Sequence, residues 1–551
     1  MSEKRESLNF LEQIIEEDLK AGKYSSIHTR FPPEPNGYLH IGHTKAIWVN
    51  FSIAEKYGGT TNLRFDDTNP TTEETIFVEN IQKDIEWLGY KWDNLYFASD
   101  YFDQLYNFAE QLVIKGFAYV DDLTSEQIAE LKGTPTKPGK DSPFRSRSID
   151  ENLTLFRAMK NGEFKDGEKV LRAKIDMEHT NMLMRDPLLY RIKHEDHHRT
   201  GNKWCIYPMY DFAHGQSDSI EEITHSMCSL EFIHHRPLYN WLIEKLGIYP
   251  SKQREFARMN VSYMITSKRK LKTLVDKGIV TGWDDPRMPT VAGMRRRGYP
   301  AAGLRKFCEK TGIAKRNNLQ EIALLESCIK EELNKTAHRL MVVNDPIKLT
   351  ITNYPDNQSE TLIADNNPEN EADGTRELVF SKHLYIERAD FMEDAPKKFF
   401  RLSPGRNVRL KNAFIIHCEN VIKDVNGDIQ EIICTYYPDS KSGSDTSGVK
   451  AKGTLHWVSQ EHAIPCTIRE YDRLFKVEAP GTTENVDFID EVNENSLKIN
   501  SSAFMEPAMK NYPIGDTVQF MRIGYFRIDE DSTENNFIFN RTVLLRDSWK
   551  K

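Results

Sequence analysis

The sequence predicts a multidomain α/β protein that passes into a long all-β region, and three observations predict it. A strand, helix, strand order opens the chain between Ser26 and Asp67. From Ile347 to Leu545, short runs alternate apolar and polar residues between Asp, Asn, Gly and Ser turns. The 551 residues, 39% of them hydrophobic, exceed what one core holds, since single cores stop growing near about 250 to 300 residues. Two to four domains are expected.

Residues Ser26 to Phe31 are strand-like and lead into a Pro-Pro-Glu-Pro-Asn-Gly loop. Ile47, Phe51 and Ala54 then recur at i, i+4 and i+7, the spacing of a helix, which Gly58-Gly59 stops. Asn62 to Phe65 make a second strand ending in Asp66-Asp67, so this is a right-handed parallel unit with its ligand site at the strands' carboxyl ends. Residues 101 to about 205 read as mixed helices and turns, with Thr124 to Lys132 helical, and form an insertion. Trp204 to Phe212 and Ile223 to Phe232 read as returning buried strands, and residues 284 to 338 carry helical spacing with abundant charge. Runs such as Val408 to Ile416 and Thr517 to Arg527 mark the β region, which is expected to be barrel-like. Segments 355 to 375 and 438 to 447 are polar and turn-rich, and read as surface loops.

Composition narrows the function. There are 74 Lys and Arg against 83 Asp and Glu, a net charge of −9. A uniformly basic nucleic-acid binder is excluded, and any polyanion must meet a local basic surface. Seven cysteines with no C-x-x-C pair fit neither a zinc ribbon nor a disulfide framework, and point to a reducing cytoplasm. No segment has the apolar run of an export signal or a membrane span. No protein cage for a metal is visible.

His40-Ile41-Gly42-His43 opens the first helix, so two imidazoles lie on one face near a positively polarised terminus that suits phosphate oxygens. Gly42 leaves room for a nucleotide ring, and Pro32, Pro33 and Pro35 stiffen the entering loop. A His-x-x-His pair alone is more often a capping or surface feature, and Ser267-Lys268-Arg269-Lys270 alone is a solvated charge run. Their context reverses both readings. The string from Arg30 to His43 resembles the first signature of class I aminoacyl-tRNA synthetases in the form used by the glutaminyl and glutamyl group. Ile265 to Leu271 is similar to that family's Lys-Met-Ser-Lys-Ser loop, with Thr266 replacing the usual Met. The resemblance extends to Asp66-Asp67-Thr68-Asn69-Pro70, Tyr207 to Phe212, Trp283 to Thr290, Arg295 to Tyr299 and Asn540-Arg541-Thr542, and takes the form of the bacterial glutaminyl branch.

That resemblance implies a split Rossmann catalytic domain (1–100 and 206–262), an acceptor-stem-binding insertion (101–205), a signature loop with a helical subdomain (263–338) and two anticodon-binding β-barrels (339–551). It also implies ATP with Mg2+, L-glutamine and the glutamine tRNA as substrates, in a monomer. His40, His43 and Lys268 would stabilise charge on the reacting phosphates. Around ATP it places Glu34, Pro35, Asn36, Ile41, Gly42, Thr44, Lys45, Ala46, Ser229, Arg258, Met259, Thr266 and Ser267. For the amino acid it offers Arg30, Asp66, Tyr210, Cys228 and Gln253. Toward tRNA it offers Lys315, Arg316, Asn317, Asn318 and Gln320, and in the β region Arg339, Arg401, Arg409, Lys411, Gln519 and Arg522. His234 and Pro237 depart from residues that some relatives carry near the acceptor end.

A glutamate site should present a cation to the side chain, and a glutamine site neutral donors and acceptors. Cys228 stands where many glutamyl enzymes have Arg, so the sequence leans to glutamine. Cys228 is equally readable as a small buried hydrophobe, and Arg30 remains a nearby cation, so the glutamyl branch stays the alternative. A noncatalytic RNA-binding paralogue is the reading from another class, against which stand both histidines and Lys268.

Overall fold

A computed structural model describes residues 7–72 and 74–546. They fall into two compact units, Met1–Asn260 with Cys308–Gln320, and Val261–Phe307 with Glu321–Lys551.

In the first unit, α1 (Phe10–Lys20) precedes β1 (His28–Phe31), α2 (Ile41–Lys56), β2 (Thr60–Phe65), α3 (Thr75–Trp87) and β3 (Asn94–Phe97). The strands form a parallel sheet ordered β1-β2-β3, with His28 opposite Thr60 and Asn62 opposite Asn94. Gly58, at φ +61°, makes the turn that ends α2. Three of the four β1 positions and five of the six in β2 are buried. Such strands read as unbroken apolar or mixed runs rather than as alternation.

Then come α4 (Phe102–Ile114), β4 (Ala118–Asp121), α5 (Ser125–Lys132), α6 (Ile149–Lys160), β5 (Val170–Ala173), β6 (Leu188–Ile192) and β7 (Ile206–Pro208). Thr124 and Gln127 cap α5 reciprocally, which is why the helix begins where its periodicity does. Strands β4 to β7 form an antiparallel sheet in sequential order, and β4, β5 and β6 lie where helices and turns alone were expected. All four residues of β4 and of β5 are buried, so period-2 alternation, the usual sign of such a strand, is missing.

The expected strand Trp204–Phe212 is also shorter, because β7 stops at Pro208 and Tyr210 starts α7 (Tyr210–Ile220). Of Ile223–Phe232, only β8 (His225–Ser229) is a strand. After it come α8 (Arg236–Leu246) and β9 (Lys252–Phe256). β8 and β9 pair in parallel, and β8 lies beside β1, where the backbone N–H of Thr224 donates to His28 O at 3.0 Å. The carboxyl ends of β1, β2 and β8 therefore converge. Helices α7 and α8 share one core with the antiparallel sheet, through Phe212 and Leu242 packed with Phe156, Tyr190 and Ile206.

In the second unit, the helices α9 (Lys268–Asp276), α10 (Val291–Arg297) and α12 (Ile322–Thr336) precede two seven-stranded, barrel-like sheets. Helix α11 (Ala301–Thr311) leads back to the first unit. One sheet runs through Thr454–Leu455, Asn407–Leu410, Ile415–Lys423, Ile429–Tyr436, Pro346–Ile351, His383–Glu387 and Val458–Ser459. The other holds Thr517–Phe520, Gly524–Ile528, Phe537–Leu544, Ile464–Tyr471 and Leu497–Met505, with Arg339–Leu340 and Val342–Val343 at its ends. Val408–Ile416 and Thr517–Arg527 each prove to be two strands around a tight turn, with Asn412 and Arg522 at positive φ. Segment 355–375, read as a loop, contains the strand Ser359–Asp365, paired with Thr375–Ser381. Only Leu362 and Ala364 of that strand are buried, too few to mark it.

Leu242 is fully buried in the core shared by α7 and α8. Leu242→Ala is expected to cost about 2 to 5 kcal/mol of stability, read as a lower urea midpoint. A loss below about 1 kcal/mol would show that this core collapses around the cavity.

Candidate functional site

A cavity of about 470 Å³ opens in the first unit where β1, β2 and β8 end. Arg30, Phe31, Pro32, Pro33 and Glu34 line it from β1 and its loop, Asp66 from β2, Tyr210 and His214 from α7, Met227, Cys228 and Ser229 from β8. The first turns of α2 add His40, Gly42, His43, Ala46 and Asn50, and Glu231, Phe232 and Arg258 complete the wall.

The two histidines cap their own helix. The backbone N–H of Gly42 donates to His40 Nδ1 at 3.1 Å, and the backbone N–H of His40 donates to His43 Nδ1 at 3.1 Å. A backbone N–H can only donate, so each Nδ1 is the bare nitrogen and each Nε2 carries the proton. The rings stack with centroids 3.9 Å apart. Desolvation, reinforced by Arg258, lowers the His43 pKa to about 4; desolvation with His43 and Arg258 holds His40 well below its ordinary value. At neutral pH the site presents two neutral Nε2–H donors at a helix N-terminus, an arrangement that recognises phosphate oxygens. A methyl group at Gly42 would sit 2.9 Å from His40 Cε1, so this glycine makes room for the stacked pair as well as for a ligand.

Behind the cavity lies a buried charge network. Arg30 Nε and Arg64 Nη1 both donate to Asp218 Oδ1, at 2.8 and 2.9 Å. Arg64 also pairs with Asp66 Oδ1 (3.0 Å) and Glu221 (3.1 Å), and the Tyr239 hydroxyl donates to Asp218 Oδ2 at 3.0 Å. Arg30 further donates to Met227 O at 2.9 Å and Ser226 Oγ at 2.8 Å. Burial pushes the Asp66 carboxyl up, but the Arg64 charge and His214 bring it below its ordinary value. Two guanidinium groups thus face three carboxylates. Asp66 Oδ2, on the cavity wall, has no hydrogen-bond partner within the protein, and His214 Nδ1 is 3.8 Å away.

The structure places several expected residues elsewhere. Ile41 is core, and the Thr44 hydroxyl donates to Ile41 O at 2.6 Å. Lys45 is buried, its ammonium donating to Cys308 O at 2.8 Å and also to Gly312 O and Thr311 Oγ1 at the end of α11. Burial lowers its pKa to about 8. Side chains at 44 and 45 leave α2 on faces other than that of His43, whereas Ala46 and Asn50 follow it at i+3 and i+7. Pro35 is buried and Asn36 only turns the loop, its N–H donating to Glu34 O. The Met259 side chain is core. Gln253 sits behind the wall, donating to Phe232 O at 2.9 Å and Glu255 at 3.0 Å. Asn317 Oδ1 accepts from Arg258 N at 2.8 Å; Lys315, Arg316 and Asn318 are exposed, and Gln320 Nε2 donates to Asn318 at 2.8 Å. In the second unit, Ile265 and Leu271 anchor the signature loop in a core with Leu474 and Phe475. Thr266 is half-buried, and Ser267 and Lys268 are exposed at the start of α9.

In the β region, Arg522 makes a two-pronged pair with buried Asp390, and Arg401 Nε approaches the same carboxylate at 3.3 Å. Arg409 holds Ser440 O (2.7 Å) and Asp445, Arg339 holds Glu369 (3.0 Å), and Gln519 donates to the Tyr525 hydroxyl at 3.0 Å. Lys411 is exposed. A second cavity of about 410 Å³, not anticipated, has Lys397, Phe399, Phe400, Arg401, Arg406, Tyr437, Lys450 and Lys452 in its wall. Cations beside the exposed Phe400 ring and the half-buried Phe399 and Tyr437 rings suit an unstacked base, and the run Lys397-Lys398-Phe399-Phe400-Arg401 was the signal for it. Nor did the sequence reading find His214 and Asp218, one and two helical turns beyond Tyr210 on α7.

Among the described residues one group has donor atoms arranged as metal ligands would be, Asp67, His197 and His198. His197 Nδ1 accepts from the N–H groups of Arg199 and Thr200, at 3.2 and 3.3 Å, and Nε2 donates to Asp67 O at 2.8 Å. Both ring nitrogens are engaged, so this group is a hydrogen-bond knot and not a metal cage.

A parallel sheet whose first crossover helix opens with two stacked imidazole donors, next to an acidic pocket, has the form of a nucleotide-binding α/β site at the carboxyl ends of its strands. Sequence comparison agrees. Residues 26–335 match the family described as tRNA synthetases class I (E and Q), catalytic domain, and residues 337–437 and 454–529 match two anti-codon binding domains of the same group. A glutamine--tRNA ligase of Rhodopirellula baltica is 57% identical over 100% of this chain and 91% of its own length. Those of Clostridium perfringens and Proteus mirabilis are each 53% identical, over 100% and 98% of both chains. A solved glutamate tRNA ligase from Elizabethkingia meningosepticum aligns at a TM-score of 0.43 and 18% identity, over 57% of this chain and 70% of that one. The chain belongs to the glutaminyl branch of the class I (E and Q) tRNA synthetases.

In the ligand-free protein, His43 is expected to stay neutral as pH falls from 8 to 5, read from histidine ring resonances of labelled protein; a midpoint near 6.5 would contradict its burial. Because the unfolded histidine protonates near about 6.5 and folded His43 and His225 near about 4, their contribution is intact above pH 6.5. It is lost as pH falls toward 4. Gly42→Ala should raise the KM for ATP about tenfold, since displaced imidazoles lose their aim, with little change in melting temperature. An unchanged KM would mean that the ring pair shifts freely.

Proposed function

We propose that this protein ligates L-glutamine to tRNA(Gln) using ATP, through a glutaminyl-adenylate. The glutamine carboxylate attacks the α-phosphorus and diphosphate leaves. The terminal 2′-hydroxyl of the tRNA then attacks the adenylate carbonyl, and AMP leaves. No covalent bond to the enzyme is needed, so the protein's tasks are positioning and charge stabilisation.

The observation that carries glutamine over glutamate is the state of the cations. Both guanidinium groups on the cavity wall, Arg30 and Arg258, are paired with carboxylates, Asp218 and Glu231, and Cys228 is neutral, since burial pushes its thiol up. A glutamate side chain would be desolvated here without an unpaired cation, whereas an amide finds neutral partners. Asp66 Oδ2 takes the substrate ammonium, which also balances the network's surplus carboxylate. Tyr210 borders the side chain, with Gln253 holding the wall from behind.

ATP arrives with Mg2+ as a substrate complex. His40 and His43 donate to its phosphates, and Ser229, Arg258 and the backbone at Met259 border the nucleotide. Lys268, on the signature loop, is assigned to the charge that builds as diphosphate departs. Residues 1–100 and 206–262 are the two halves of a split Rossmann domain, 101–205 the acceptor-stem insertion, 263–338 the loop and helical subdomain. Residues 339–551 hold the anticodon barrels, whose set Arg339, Arg401, Arg409, Lys411, Gln519 and Arg522 contacts RNA. Lys315, Arg316, Asn317, Asn318 and Gln320 belong to the tRNA-facing surface. We assign the enzyme to the cytoplasm, as a monomer. Among the described residues no helix is long and apolar enough to cross a membrane.

The test is aminoacylation of total and purified tRNA with labelled glutamine and glutamate, with and without ATP. Glutamine charging should require ATP, and Lys268→Ala should slow it about 10²- to 10³-fold, the scale of a lost transition-state charge contact. Preferential glutamate charging would move the enzyme to the glutamyl branch, and no charging would leave a noncatalytic paralogue.

A further inference from the structure

Asp66 works only if its free oxygen is aimed at the cavity, and the structure shows what aims it. Along an extended chain, neighbouring side chains leave on opposite sides, so Asp67 turns away from the cavity and into the protein. Its carboxylate is fully buried. Oδ1 accepts from the Ser99 N–H at 2.8 Å, and Oδ2 accepts from the Ser99 hydroxyl at 2.7 Å and lies 3.0 Å from His198 Nε2. The carbonyl of Asp67 accepts from His197 Nε2 at 2.8 Å. Arg199 closes the arrangement: its Nη1 donates to Ser99 Oγ and Asp100, at 2.8 and 2.7 Å, and its guanidinium lies 3.8 Å over the Phe97 ring.

Three consecutive side chains, from the loop between β6 and β7, thus clamp the carboxyl ends of β2 and β3 together. Without this string, Asp66 would be held through its side chain by Arg64 and through its N–H by Pro33 O, and Asp67 would be held by Ser99 alone, with its carbonyl unpinned. None of the clamp residues 67, 99 and 197–199 lines the cavity itself.

We propose that His197 and His198 are positioning residues for the amino-acid site, fixing the Asp67 peptide and carboxylate so that Asp66 Oδ2 points at the substrate ammonium. The inference rests on the assignment of Asp66 to that ammonium. Its signature is selective: the amino acid loses its aim, while ATP, held at α2, does not.

The experiment compares wild type with His198→Ala, His198→Gln and Asp66→Asn in steady-state aminoacylation, with separate KM values for glutamine and ATP, and melting temperatures alongside. For His198→Ala, the KM for glutamine should rise about tenfold or more, as expected when a binding group is misplaced by a fraction of an ångström to an ångström. The KM for ATP should stay within about twofold, well under the tenfold effect of misplacement. In His198→Gln the amide Nε2 replaces the ring Nε2 toward Asp67, and most of the glutamine KM should return. An unchanged glutamine KM in His198→Ala, equal rises for both substrates, or a Gln variant no better than Ala would overturn the proposal. Should His198→Ala fail to fold, Ser99→Ala carries the same comparison, since it removes one hydroxyl shared by Asp67 and Arg199 and keeps the Ser99 N–H on Asp67. If Asp66→Asn leaves the glutamine KM unchanged, the assignment of Asp66 itself falls. If Asp66→Asn raises it and His198→Ala does not, only the clamp falls.

Discussion

Asp218 is the constraint on which the site depends. One oxygen of this fully buried carboxylate receives Arg30 from β1 and Arg64 from β2, and the other receives the Tyr239 hydroxyl from α8, while Asp218 itself belongs to α7. Four elements that are distant in sequence meet on one charged group. Two buried guanidinium groups are tolerable only with carboxylates in hydrogen-bonding geometry, because an ion left unpaired in a desolvated interior costs several kcal/mol, about 3 to 5 for a broken buried pair. Charge pairing therefore sets the strand ends and helix α7 in register, and with them Asp66, Tyr210 and His214.

The same network sets the chemistry of recognition. A guanidinium near the cavity would ordinarily attract an anionic side chain, yet Arg30 spends its donors on Asp218, Met227 O, Ser226 and His214. Its charge is a structural fixture. At the other end, two imidazoles that burial keeps neutral, locked by backbone amides into one tautomer, present a preorganised pair of donors. The cavity thus separates a donor end from an acidic end, as an amino acid and ATP require when their carboxylate and α-phosphorus must meet.

Much of this was legible in the sequence, and the rest was hidden for identifiable reasons. The β1-α2-β2 unit was visible because Ile47, Phe51 and Ala54 keep helical spacing between two strands. The cavity residues Arg30, Glu34, His40, Gly42, His43, Asp66, Tyr210 and Cys228 were visible because they lie in or near motifs. At Thr44 and Lys45, inside the same motif, the helical repeat turns the side chains away from the cavity. Strands β4 and β5 escaped notice because burial on both faces erases alternation. Asp218 is 188 residues from Arg30, and no local pattern announces a partnership at that distance. His197 to Arg199 likewise carry no local pattern that announces the sheet ends they join.

The pairing of Arg401 and Arg522 on buried Asp390 has a consequence for the RNA contact proposed for them. A cation with a covalently attached counterion does not behave like a solvated one: a phosphate or base that engages it must compete with a carboxylate that cannot diffuse away. Each such arginine then neutralises less than one full charge, and the salt dependence of binding, which scales with net charges neutralised, is shallower than a count of arginines implies. On that proposal, random RNA, bringing only its backbone, gains little from this surface, and discrimination falls to whatever can stack and hydrogen-bond as well.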